Sequence, residues 1–105
     1  MTTAGDANLS LDEVRRLRAW LDEREITQVI YRLARASDRG DVDVAAECYH
    51  EGATEDHGGF VGPAREFLHR RGPIQFAETP DIPLMWHGVT NIRVELDGDR
   101  AFVES

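Results

Sequence analysis

The stretch PLMWHGVTNIRVEL, residues 83–96, sets a histidine beside a glycine in a run that otherwise reads as a β-strand. Histidine is the side chain that takes up and releases a proton near neutral pH. His87 is therefore a candidate for proton transfer. Asp38 is a second candidate, for a different reason. It falls in the last turn of an expected helix, where a negative charge opposes the helix dipole at a cost of about 0.3–1 kcal/mol. Something must compensate: Arg35, Arg39, solvent, or a partner brought in from elsewhere in the chain. Glu55 and His57 alternate onto one face of a short expected strand, either as pocket wall or in water.

Other chemistries fit less well. Zinc and iron sites need three or four ligands converging at about 2 Å, and Asp56, His57 and His87 are a weak signal for one, so no metal is expected. GGFVGP lacks the glycine spacing and the lysine of a phosphate loop and reads as a turn into a helix. His50 and His69 sit at helix ends among charges and read as surface residues.

These side chains must be held by elements. Residues 1–9 are small and polar and are expected to be disordered. Ser10 and Glu13 have the spacing of a capping box, followed by Leu11, Val14, Leu17 and Leu21 at helical intervals. Asp22 and Glu25 then suggest the cap of a second helix, with an apolar stripe of Ile26, Val29, Ile30, Leu33 and Ser37. Gly40 is a natural stop, and Asp41 caps a short third helix whose inner face is Val44, Ala45, Cys48 and Tyr49. ATEDH reads as a short strand, and Pro63 opens a further helix that Gly72 and Pro73 end. A proline-rich connection leads to one long strand over 84–96, a DGD turn and a returning strand. Helices first and an antiparallel sheet after make an α+β pattern in one domain, 10–105.

Strict alternation over 84–96 puts His87 on a face with Asn91, Arg93 and Glu95, opposite Trp86, Ile92, Val94 and Leu96. That polar row faces water unless Gly88 supplies a β-bulge, or unless the concave side of the sheet is itself partly polar. The chain stops in mid-strand, which leaves a thin sheet with an unpaired edge: the expectation is either that further strands are missing or that another molecule covers the edge.

The 105 residues carry a formal charge of −8, which disfavours nucleic acid and anionic membrane as partners. All 12 basic residues are arginine, which reads as a compositional habit. Cys48 is the single cysteine, so no internal disulfide can form and a reducing compartment is the simplest setting. No signal peptide and no run of the ~20 apolar residues of a membrane span is visible. A soluble cytoplasmic protein is expected.

YRLARASDRGDVDVAAECYHEGA, GGFVGPAREF and HGVTNIRVELDGDRAFVES together resemble the SnoaL-like group of the NTF2-like superfamily, over roughly residues 22–105. The resemblance implies a cone of N-terminal helices packed on a curved antiparallel sheet, truncated here at its C-terminus. Within the group, the sequence is similar to the scytalone dehydratase and lindane dehydrochlorinase branches. There, an aspartate at the end of the long helix pairs with a histidine on a central strand, and these positions fall on Asp38 and His87. The dehydratase tyrosine is replaced by His57 or a neighbour, its second histidine would fall near Ser105, and the dehydrochlorinase lysine is Leu33 here. The resemblance thus implies a His–Asp dyad for elimination, dehydration, isomerisation or cyclisation of a hydrophobic small molecule, with no cofactor. Tyr31, Tyr49, Glu55, His57, Trp86 and Asn91 are the candidate substrate-binding side chains. A homodimer is expected from the family and from the exposed strand edge. The alternative is a non-catalytic binding or dimerisation module.

Overall fold

The computed structural model describes residues 8–70 and 85–105. The expected disorder at the start of the chain, the proline-rich connection with Phe76, and the helix stop at Gly72 and Pro73 lie outside these residues. The elements run α1 (Leu11–Asp38), α2 (Val42–Glu47), β1 (Thr54–Asp56), β2 (Val61–Pro63), α3 (64–70 among the described residues), β3 (Arg93–Asp97) and β4 (Arg100–Glu104). This is an α+β order, as the sequence suggests. Contacts divide the chain into two units, one of 1–28 with 91–105 and one of 29–90.

In the first unit, the capping box forms as its spacing predicts. Ser10 Oγ accepts from the Glu13 backbone N–H at 3.0 Å, and Glu13 Oε2 accepts from the Ser10 N–H at 3.2 Å. The expected break at Asp22–Glu25 does not occur. Residues 11–38 contain no glycine or proline, so nothing forces a stop, and α1 runs through all 28 residues. Thr27 returns its hydroxyl to the Glu23 carbonyl at 2.8 Å and so stays helical. Leu11, Leu17 and Leu21, which recur at helical spacing, are exposed, as is Trp20.

The same unit holds the β3–β4 hairpin, in register from Arg93↔Glu104 to Asp97↔Arg100. Gly98 at φ 60 supplies the left-handed residue of its two-residue turn. The expected strand over 84–96 is shorter at its start. Residues 85–92 are not strand, and Asn91 takes φ 55, which no continuous strand permits. The alternation argument for His87 therefore does not apply, and neither does the bulge at Gly88.

In the second unit, α1 ends in a Schellman motif. Gly40 sits at φ 69 and donates to the Ser37 carbonyl at 3.3 Å, while Asp41 donates to the Ala36 carbonyl at 2.9 Å. Asp41 then caps α2, its Oδ1 accepting from the Val44 N–H at 3.3 Å. Among the described residues of this unit, Ala36, Ala45, Ala46 and Ala64 are the buried apolar ones. The inner face expected of α2 is present, with Ala45 buried and Val44, Cys48 and Tyr49 half-buried. β1 is not left single. It pairs antiparallel with β2, Glu55 facing Gly62 in the register. β2 lies in the segment read from sequence as a turn, and α3 follows directly after Pro63.

Candidate active site

The Schellman motif satisfies the Ala36 and Ser37 carbonyls but leaves that of Asp38 without a partner in its own helix. The Met85 backbone N–H donates to it at 3.4 Å. This tie brings residues 85–89 to the end of α1, and His87 Nδ1–H donates to Asp38 Oδ1. A carboxylate only accepts, so the ring proton of neutral His87 lies on Nδ1 and Nε2 carries the lone pair. Burial pushes the Asp38 pKa up, but the hydrogen bonds and charge of His87, with Arg39, outweigh it and hold the carboxyl below its ordinary value of 3.8. The Asp38 side chain is 19% exposed and that of His87 50%.

His87 borders two hollows. The first, about 410 Å³, has an apolar wall that includes Ile30, Leu33, Phe67, Leu68 and Val89. Its polar side chains are Ser37, Tyr49, Glu55, His57 and His87. The second, about 400 Å³, is bordered by Asp38, Tyr31, Arg35, Arg39 and Trp86, again with His87. Trp86 and Tyr31 are both exposed. Asn91 belongs to the other unit and is not among the described residues lining either hollow.

Glu55 in β1 and His57, the residue after β1, both line the first hollow. His57 Nδ1–H donates to Glu55 Oε1 at 2.9 Å. The loop that carries them is fixed by its own hydrogen bonds. The His57 N–H donates to the Phe60 carbonyl at 2.7 Å, and Asp56 Oδ1 accepts from the Gly58 N–H at 3.1 Å. The His57 ring lies 4.6 Å from that of Phe67. Asp56, the last residue of β1, thus spends its side chain on the turn that follows, and among the described residues no three His, Cys, Asp or Glu side chains converge as metal ligands.

Tyr49 follows α2, and its carbonyl accepts from Arg65 Nε at 3.1 Å and Nη2 at 2.6 Å. Burial, then the charge of Glu55, push the Tyr49 phenol above its ordinary pKa, so it remains a protonated donor. Burial likewise pushes the Cys48 thiol up, against Arg32. Its Sγ–H donates to the Val44 carbonyl at 3.4 Å, so this thiol is packed in place. His50 is exposed, and exposed His69 Nδ1–H donates to the Arg65 carbonyl at 2.7 Å.

Sequence reasoning missed Ser37 as part of this site, and the backbone tie that Met85 makes to it. Ser37 lies in the apolar stripe of α1, which was its signal; the role of Met85 is carried by its backbone and leaves none.

Among the described residues no helix is long and apolar enough to cross a membrane. No curated protein and no solved structure matches the chain. A family model described as a SnoaL-like domain matches residues 18–105. That match, over most of the 105 residues, agrees with the helix-then-hairpin order described above, and the chain belongs to the SnoaL-like family of the NTF2-like superfamily.

Proposed function

We propose that this chain is a cofactor-independent enzyme of the lyase, isomerase or polyketide-cyclase type, acting on an apolar small molecule that carries a carbonyl or hydroxyl group. The observation that carries this reading is the hydrogen bond from His87 Nδ1–H to Asp38, with His87 bordering a hollow of suitable size. Asp38 holds the imidazole in one tautomer and stabilises the imidazolium that forms. Nε2 removes a proton from the carbon beside the carbonyl, and the electron pair moves onto the oxygen. Tyr49, kept protonated, is a donor for that oxygen. Return of the proton to another carbon is isomerisation; loss of a leaving group from the same anion is elimination. Glu55 and His57 bind the polar end of the substrate, and Tyr31 and Trp86 complete the proposed binding set. The working protein is a cytoplasmic homodimer that does not bind nucleic acid.

Solvent exchange tests the proton transfer without knowledge of the substrate. With 2-tetralone as probe in D2O, the chain should speed deuterium uptake at the carbon beside the carbonyl. His87→Gln should lower that rate by about 10²–10⁴-fold, the ordinary worth of a positioned base. The competing reading, a non-catalytic ligand-binding or dimerisation module, draws on the half-exposed imidazole. It requires uptake no faster than in buffer with free imidazole.

A further inference from the structure

Glu55 has two carboxylate oxygens in very different states. Oε1 receives the His57 Nδ1–H at 2.9 Å. Oε2 is buried and has no hydrogen-bond partner among the described residues. A buried oxygen of this kind loses its water without a replacement, at a cost of about 1–3 kcal/mol and more when it is charged. Gly62, its register partner in β2, has no side chain to offer it a donor. The rest of the hollow that Glu55 lines is largely apolar, and no arginine is among its described lining residues.

We propose that Glu55 selects the substrate: Oε2 accepts a hydrogen bond from a hydroxyl or N–H of the ligand, so that the hollow takes neutral, donor-bearing apolar molecules and rejects anions. This rests on the hollow being the substrate site. It goes further in assigning the chemical class, since a molecule with only acceptor groups would leave Oε2 unsatisfied, and a carboxylate would face Glu55 with no arginine among the described lining residues to pair with it. Tyr49 is the competing donor from within the protein. Beyond burial, its phenol pKa is raised both by the charge of Glu55 and by a side-chain hydrogen-bonding interaction with that carboxylate, but no contact of full hydrogen-bond length and angle reaches Oε2, which is left open to a better-placed donor.

Three probes of one shape separate the cases: 2-naphthol, its methyl ether and 2-naphthoate. Their dissociation constants are read at neutral pH from shifts of the histidine ring resonances. The unmodified chain should bind the naphthol at least about tenfold more tightly than the ether, the lower part of the range for an unsatisfied buried group, and bind the naphthoate most weakly. Glu55→Gln, which supplies a donor of its own and removes the charge, should narrow the gap between naphthol and naphthoate at least about tenfold. Asp38→Asn should leave both ratios as they are while slowing deuterium exchange, so that a failed dyad and a failed Glu55 assignment give different results. Equal affinity for naphthol and ether in the unmodified chain overturns the proposal even if no variant folds. So does a preference that survives Glu55→Gln and disappears in Asp38→Asn, or the failure of all three probes to bind.

Discussion

A carboxylate in the last turn of a helix is unfavourable unless something faces it, and at Asp38 that something is His87, helped by Arg39. The pair has a pH signature whose sign is fixed. Because the folded-state pKa of Asp38 is depressed, its contribution to stability is present above the ordinary carboxylate value of 3.8 and is lost as pH falls through the lower folded-state value. Asp38→Asn should therefore flatten part of the acid limb of a stability-against-pH curve, measured by urea unfolding; an unchanged limb would mean the pair contributes nothing to folding. Asp38 was legible in the sequence because the dipole argument singles it out. The shared side of Glu55 and His57 was readable from their spacing of two, although β1 ends at Asp56 and His57 follows it. The placing of His87 was not, because it follows from a backbone hydrogen bond from Met85, which has no side-chain pattern.

At the scale of elements, the turn between α1 and α2 sets the position of Asp38. Gly40 at φ 69 adopts the left-handed conformation that costs other residues roughly 1–2 kcal/mol. Gly40→Ala should lower unfolding free energy by about that amount and slow proton exchange, because Asp38 lies two residues upstream. Asp41→Ala removes the α2 cap and should cost about 1 kcal/mol in the same denaturation assay. The helices, the DGD turn and the glycine stop were readable because caps and stops depend on local chemistry. The strand over 84–96 was misread because β-branched and apolar residues also suit an extended segment outside any sheet. The unbroken α1 shows the converse: Asp22 and Glu25 are cap-like residues that also tolerate a helix interior when no glycine or proline follows.

For the molecule as a whole, composition sets which encounters are favourable. With 20 acidic against 12 basic residues, the chain should flow through a heparin column at low salt, whereas retention would count against the exclusion of nucleic acid. Leu17, Trp20 and Leu21 are exposed on one stretch of α1, an apolar surface that gives association a motive. The proposed homodimer predicts twice the chain mass by sedimentation at micromolar concentration. Finally, the tie between Met85 and the Asp38 carbonyl has a mechanical result. Acid and imidazole share one anchor, so a displacement of the helix tip should carry both together.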